Sequence, residues 1–466
     1  MRSEFDKNLI SNDTLRKLID ICGEKNCACK KEELVCYGYD ATKKHFMPDV
    51  VIFPNNSGEV AAVMRLANEK KIFVTPRGAG SGMTGGALPV CGGVVMSLAR
   101  LNRIINIDAD NLTAEVEPGV VTGVFHKTVE KKGLFYPPDP ASSAFSTIGG
   151  NVAECSGGPR AVKYGVTRDY ILGLEVVLPN GNVINTGVRT AKGVVGYDLT
   201  RLIVGSEGTL GVATRIILKL LPLPASKKTI MATFNTMEKA SQTVSAIIKS
   251  GIIPRKIEYM DNAAITCVAN FTNTDLDTKA GALLLIEVDG SEYETEQQIK
   301  RLNILCRDTG AKEIKNAATK DEEAALWKAR RSISPALFKY GSFKINEDIA
   351  VPRSKIPDMT NKIEALKKET GLMIITFGHA GDGNIHINIM LDKDNKKELE
   401  KGKKAVEDIL DYALKLGGTI SGEHGIGITK SVYMPKEIKE VELNLMKKIK
   451  RVFDPNGILN PGKIFV

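Results

Sequence analysis

The stretch PRGAGSGMTGG, residues 76–86, carries the spacing G-x-G-x-x-G at Gly80, Gly82 and Gly85. That spacing holds a dinucleotide at a helix tip only when a strand enters the loop and a helix leaves it, so that the helix N-terminus faces the pyrophosphate. Ile72-Phe73-Val74-Thr75 reads as the entering strand. No helix can follow. After Gly86 come Ala87, Leu88, Pro89, Val90, Cys91, Gly92 and Gly93, and then a second strand-like run, Val94 to Leu98. The glycines are therefore expected to free backbone N–H groups around an anion, in a loop between strands. The alternative is a plain tight turn.

Outward from the loop, Asp49 to Phe53 reads as a strand ended by Pro54, and Ser57 as the N-cap of a helix with Val60, Val63, Met64 and Ala67 on one face. Residues 8–25 read as an amphipathic helix. Strand signals dominate up to about residue 222, including RIINI, TAEVE and a hairpin turning at Asn180-Gly181. Beyond Pro222-Leu223-Pro224 the strands TIMATF and ALLLIEV alternate with the helices MEKASQTVSAIIKSG and EYETEQQIKRLNILCRDTG. The expected division is an N-terminal helical segment (1–45), a glycine-rich α+β domain (46–224), a second α+β domain (225–425) and a C-terminal segment (426–466).

With 466 residues, 43% hydrophobic and 26% charged, the chain has the composition of a globular protein of two or three domains. The net charge of +9 comes from dispersed doublets such as Lys30-Lys31, Lys131-Lys132, Lys396-Lys397 and Lys447-Lys448. A basic stripe interleaved with aromatics is missing, which argues against nucleic-acid binding. No apolar run approaches the ~18 residues of a membrane span, and the first residues lack a secretory pattern. A cytoplasmic protein is expected. Cys22, Cys27, Cys29 and Cys36 fit neither zinc nor ferredoxin spacing, so they read as reduced structural thiols.

Three of the five histidines lie in two glycine-bounded motifs, FGHAGDGNIHINI with His379 and His386, and SGEHGIG with Glu423 and His424. Ala380-Gly381-Asp382-Gly383 reads as a tight turn, so Asn384, His386 and Asn388 share one strand face, and a hairpin would return His379 opposite His386. Two imidazoles and a carboxylate form a set for a divalent metal with open positions; satisfied core histidines are the alternative. Spacing leaves open which of Glu423 and His424 would ligate. In TKDEEAALWKARRSISPAL, Arg330 and Arg331 lie about 100° apart on a helix, so one is expected to face inward, where its planar fork suits a carboxylate.

PRGAGSGMTGG, PPDPASSAFSTIGGNVAECSGGPRAVKYGVTRDY, GYDLTRLIVGSEGTLGV, the two histidine motifs and DPNGILNPGKI occur here in one order. In these motifs the chain resembles the flavin-linked D-2-hydroxy acid dehydrogenases, among them D-lactate dehydrogenase and the D subunit of glycolate oxidase. These belong to the vanillyl-alcohol-oxidase type of FAD proteins. The resemblance runs from about residue 40 to the end. It implies an FAD-binding domain of two α/β subdomains and an α+β cap domain with an antiparallel sheet.

The resemblance also implies roles. Arg77, Gly78, Ala79, Gly80, Ser81, Gly82 and Met83 would wrap the pyrophosphate of non-covalent FAD. Pro138, Asp139, Ser143, Thr147, Gly149, Gly150, Asn151, Gly157, Gly158, Gly165, Glu207, Gly208 and Gly211 would line the rest, with Asn460 reaching back from the tail. His379, His386 and Glu423 would hold Zn, Fe or Mn, His424 would be the base, Arg330 the carboxylate clamp, and Asn384 and Lys344 further substrate contacts. The implied reaction is oxidation of a D-2-hydroxy acid, D-lactate first, with hydride passing to flavin N5. Electrons would go on to an electron-transferring flavoprotein, an iron–sulfur subunit or a quinone; glycolate and D-2-hydroxyglutarate are the alternative substrates. A homodimer is compatible with this reading. A metal-dependent hydrolase and a non-catalytic FAD-carrying subunit are the rival readings.

Overall fold

Strands β1 (Cys27–Ala28), β2 (Val50–Ile52), β3 (Val74–Arg77) and β4 (Val94–Ser97) form a sheet in the order β1-β2-β4-β3. β2 and β3 run parallel to β4, and β1 runs antiparallel to β2. Every residue of β2 and β4 is buried, which is why their sequences are continuous apolar runs instead of alternations. The helix Ser57–Lys70 makes the crossover between β2 and β3 and buries Val60, Val63, Met64 and Ala67. Its cap is Asn56, one residue before the expected Ser57, because the Asn56 side chain accepts from the Glu59 N–H at 3.0 Å.

Between β3 and β4 the backbone forms turns and bends with no helix, and Gly80 and Gly85 take φ of +67° and +86°. A side chain resists those angles, so glycine is required there. β3 begins two residues later than Ile72, at Val74, whose N–H and C=O are held by Ile458 and Asn460 of the C-terminal tail.

A second sheet takes β5 (Ile104–Asp108), β6 (Thr113–Val116), β8 (Ile171–Val177), β9 (Val183–Gly187) and β10 (Val212–Lys219) in the order β5-β6-β10-β8-β9, antiparallel throughout. β7 (Leu134–Phe135) pairs with β11 (Leu221–Pro222). The β8–β9 hairpin turns at Asn180-Gly181, as the sequence requires, with Gly181 at φ +80°.

From there on, β12 (Ser226–Phe234), β13 (Lys256–Asp261), β14 (Ala282–Gly290), β15 (Ala311–Asn316), β16 (Phe343–Ala350), β17 (Met373–His379) and β18 (Asn384–Leu391) make one antiparallel sheet, ordered β15-β12-β14-β13-β17-β18-β16. The helices Asn262–Thr272, Lys320–Arg331 and Ile333–Leu337 share an apolar core with Met231, Met260, Leu285, Ile375, Phe377 and Met390 of this sheet. The helices Met237–Lys249 and Glu292–Asp308 form where the amphipathic runs were read.

The computed structural model describes residues 10–272 and 276–465; the first residues of the expected N-terminal helix lie outside them, and the described part of that helix spans Asn12–Cys22. The chain divides into a first unit, reaching Gly157 and continuing through Val166–Leu223 and from Glu423 onward, and a second unit, Gly158–Gly165 with Pro224–Gly422. Relative to the sequence division, the N-terminal and C-terminal segments merge into the first unit, Pro224 passes to the second, and two further segments change sides. Gly158–Gly165 joins the second unit because Lys163 Nζ and Tyr164 Oη bind the buried Asp289 carboxylate at 2.5 and 2.8 Å. Glu423–Gly425 joins the first because the segment is pinned there by Thr84 and Glu207. No disulfide forms among the described residues, and no described helix is long and apolar enough to cross a membrane.

Candidate functional site

In the first unit one cavity gathers most of the residues assigned to a cofactor. Arg77 through Met83, Thr147, Gly149, Gly150, Asn151, Gly157, Glu207, Gly208 and Gly211 line it, together with Glu423 and His424. Pro138, Asp139 and Ser143 are not among its lining residues, although their neighbours Pro140, Ala141 and Ser142 are. Pro138 instead offers its carbonyl to His126 Nε2 at 2.8 Å. Gly158 and Gly165 belong to the second unit. Asn460 acts from behind the wall, donating to the carbonyls of Gly86 and Glu207 at 2.9 and 2.7 Å.

Backbone makes much of this wall. The Arg77 guanidinium turns away, donating to the carbonyls of Tyr39 and Ala87, so its main chain is what faces the cavity-lining loop. A Cβ on Gly80 would lie 2.2 Å from Arg77 Nη2, the movable end of a long side chain, so the φ of +67° is what requires glycine there. A Cβ on Gly82 would meet nothing closer than Glu154 Oε1 at 3.6 Å. Its missing side chain therefore serves the cavity. A lining of glycines and small residues with main-chain N–H groups suits a pyrophosphate and a flat ring system.

Two acidic groups on this wall have roles that motif spacing could not reveal. Glu207, at φ +52°, accepts the N–H groups of Ile426 and Gly427 at 2.7 Å each, and Thr84 Oγ1 donates to the His424 carbonyl at 3.2 Å. These bonds hold the Glu423-His424 segment in place. Glu154, which was not anticipated, has its Oε2 out of solvent with no hydrogen-bond partner among the described residues. Burial, and then Glu207 beside it, hold its carboxyl well above the usual carboxylate range. A neutral carboxyl can donate as well as accept. Lys463 is pushed down to about 8 by burial and donates to the Leu88 carbonyl at 2.6 Å.

In the second unit the chemistry lies on one face of the sheet. His379 pairs across the ladder with Asn384, and His386 pairs with Phe377, so the two histidines are diagonal neighbours and not directly opposite. The four-residue turn between β17 and β18 sets that register. The imidazoles still meet, with Nε2 atoms 3.4 Å apart and rings nearly perpendicular. Glu258, on β13 beside His379, binds His379 Nδ1 at 2.6 Å and Arg330 Nη2 at 2.6 Å. Burial alone would raise Glu258, but His379 and Arg330 offset this and hold it below the ordinary range. With Nδ1 bound to a carboxylate, His379 presents Nε2 to a ligand.

Arg330 faces inward and Arg331 is exposed, so the helix resolves the pair. The Arg330 guanidinium lies 4.7 Å from the Phe377 ring centroid, and its buried Nε has no hydrogen-bond partner among the described residues. Asn384 Nδ2 donates to Asp348 Oδ1 at 2.5 Å and to the Ile349 carbonyl at 3.0 Å, leaving a buried Oδ1 without such a partner. Lys344 sits farther along β16, opposite Met390, and donates to Ser334 Oγ at 3.1 Å. Glu258 and Asp348 were missed by sequence reasoning. They stand on β13 and β16, strands that only the sheet order brings beside the histidines.

These two constructions match known proteins along nearly all of the chain. Residues 48–187 match an FAD binding domain, and residues 223–464 match the C-terminal domain of FAD linked oxidases. The chain is 44% identical over 458 residues to a glycolate oxidase subunit GlcD of Bacillus subtilis, covering 98% of this chain and 97% of that protein. It is 35% identical over 478 residues to a D-lactate dehydrogenase of Anaerostipes hadrus, covering 99% of each. A substrate-bound p-cresol methylhydroxylase has the same fold at 20% identity, with a TM-score of 0.80 over 98% of this chain and 96% of its own. The α+β fold of this chain is thus shared with that structure. By sequence match and by relatives on this scale, the chain belongs to the FAD-linked oxidases, a family of flavin-dependent oxidoreductases.

Proposed function

We propose that this oxidoreductase oxidises a small D-2-hydroxy acid, D-lactate or glycolate, and passes the electrons to a partner protein, an electron-transferring flavoprotein. The observation that carries the substrate class is the half-buried guanidinium of Arg330, held at Nη2 by Glu258 while its buried Nε has no hydrogen-bond partner among the described residues. A buried donor of that kind costs about 1–3 kcal/mol unless something accepts from it. A substrate carboxylate is a fitting acceptor. The names of the two relatives, one for glycolate and one for D-lactate, point to the same class.

FAD supplies the acceptor for the hydride when bound, and a divalent ion on His379 and His386 would acidify a ligated hydroxyl. The pair fits such an ion: both residues are buried, their Nε2 atoms converge, and Glu258 fixes the tautomer of His379. Glu423 as a third ligand and His424 as the group that takes the hydroxyl proton on an imidazole nitrogen are assigned by the family resemblance. Arg330 orients the carboxylate, which sets the face of the reacting carbon. Asn384, steadied by Asp348, offers Oδ1 to a polar group.

The test is anaerobic titration of the purified yellow protein with D-lactate, glycolate and D-2-hydroxyglutarate in turn. Bleaching of the visible flavin band by a short 2-hydroxy acid is expected. A flavin that stays oxidised with both D-lactate and glycolate would remove the substrate class. Metal analysis of the same sample checks for about one divalent ion per chain.

A further inference from the structure

Glu154 ends the helix Ile148–Glu154 and lines the cofactor cavity together with Glu207. Its carboxyl lies beside Gly86 and Gly425, in the space that side chains there would take: their Cβ positions fall 2.7 Å from Oε1 and 2.5 Å from Oε2. The Gly425 position is also 3.0 Å from Glu207 Oε1, so the two carboxyls converge on one point of the wall. Their hydrogen bonding differs. Glu207 accepts the Ile426 N–H on one oxygen and the Gly427 N–H on the other, both at 2.7 Å. Oε2 of Glu154 is sealed from solvent and has no hydrogen-bond partner among the described residues. Two carboxyls this close, with little water around them, do not both ionise without strong repulsion. N–H donors favour the charged form of the group they meet, so Glu207 keeps the charge and Glu154 the proton. Asp40 and Lys463 also act on Glu154, with opposite sign. Lys463 donates instead to the Leu88 carbonyl and Asn460 Oδ1, at 2.6 and 3.1 Å, and leaves Glu154 to another partner.

We infer that the Glu154 carboxyl is a contact of the FAD ring, donating a hydrogen bond to a nitrogen or carbonyl of the isoalloxazine. Its wall lies in the stretch that matches an FAD binding domain, residues 48–187. The group is polar and unmatched on a wall made largely of glycines and small residues, where leaving it without a partner is unfavourable. Charge selects the ring over the rest of the cofactor. The diphosphate of FAD is anionic and its oxidised ring is not, so a pair of acidic side chains suits the ring and repels the diphosphate. On two-electron reduction the nitrogens and carbonyls of the ring gain electron density, which strengthens a bond donated to them. Glu154 therefore holds the reduced cofactor more firmly than the oxidised one and raises its reduction potential. The acid keeps its proton throughout, and the electrons reside on the ring. None of this depends on which hydroxy acid delivers them.

The purified holoprotein is poised at an electrode through a small mediator, so that no substrate is needed. Reduced-minus-oxidised infrared spectra and the midpoint potential are recorded for the native chain, Glu154→Gln and Glu154→Leu. The native difference spectrum should show a carboxylic-acid C=O band that moves on reduction and is missing from Glu154→Gln. The amide of Glu154→Gln still donates, so its potential should stay close to native. Glu154→Leu has no donor, and its equilibrium should shift about tenfold towards the oxidised cofactor, about 30 mV for a two-electron couple. A native difference spectrum without that band, a Glu154→Leu potential equal to the native one, or a Glu154→Gln potential displaced as far as that of Glu154→Leu would each overturn the inference. Should Glu154→Leu fail to fold, the infrared comparison of the native chain with Glu154→Gln decides by itself. D-Lactate and glycolate take no part in these measurements, so failure here leaves the substrate class standing, and failure of both acids to bleach the flavin leaves Glu154 in place.

Discussion

The two units of this chain build their working surfaces in opposite ways. The first lines a cavity largely with main chain, and its demands fall on glycine at particular angles, such as Gly80 and Gly85. The second presents side chains from neighbouring strands on one sheet face, and its demands fall on register, as in the pairing of His379 with Asn384 and of Asp348 with His386. A backbone-built site is written in short local segments, here 76–87, 147–157 and 206–213 among others, each of which carries its own glycine pattern. A side-chain-built site is assembled from residues more than a hundred positions apart, as Glu258 and His379 are.

The sharpest way to break this comparison is His424→Ala, on the cavity wall of the first unit. Turnover should fall ~10²–10⁴-fold while bound FAD and the melting temperature hold. Unchanged turnover would take His424 out of the reaction and leave that wall as a cofactor cradle only.

Glu287→Leu attacks the second unit away from its histidines. Glu287 is buried with Arg255 Nε at 3.2 Å and Lys256 Nζ at 3.5 Å; Arg255 also keeps Asp289 at 3.4 Å, so the loss of Glu287 weakens a shared ion-pair network and should cost about 1–3 kcal/mol in denaturant unfolding. Burial would raise this carboxyl, but Lys256 and Arg255 hold it below 4.5. The stability it contributes is thus full above about 4.5 and lost as pH falls through the lowered folded value. Glu287→Gln should flatten that acid limb; an unaltered limb would assign acid sensitivity to other groups.

Glu258→Gln weakens the carboxylate behind His379 and Arg330 together. Metal affinity measured by competition with a chelator should drop ~10–100-fold, and the KM for the hydroxy acid should rise. Retention of native metal affinity would show that Glu258 is only a structural counter-ion.

Gly82→Val is the mildest. A Cβ finds room there, so the fold should persist, but the branched side chain would enter the lining of the cavity. FAD binding should weaken about tenfold, or about 1.4 kcal/mol, by fluorescence titration. Native affinity would mean that Gly82 is a turn residue and nothing more.

Legibility follows the same division. The missing helix after Gly86, the Asn180-Gly181 turn and the grouping of Asn384, His386 and Asn388 on one face are all consequences of local backbone rules, and each is seen in the structure. The expectation that His379 lies opposite His386 failed by two residues along the ladder, because the four-residue turn pairs His379 with Asn384 and keeps both histidines on one face. Ser57 gave way to Asn56 as a cap because adjacent residues were both competent. Glu258, Asp348 and Glu154 were silent, since a buried carboxylate carries no spacing of its own.

The amino-acid sequence by itself determined where glycine had to stand, which segments became strands or helices, and that Asn384, His386 and Asn388 share one strand face, because those depend on angles and periodicity within a few residues. Only the tertiary structure decided which carboxylate sits behind His379, which of two adjacent arginines turns inward to meet it, and that an amphipathic helix near the C-terminus shows its apolar stripe to solvent. These depend on strand order and packing, where the deciding neighbour is distant in the chain and close only in space.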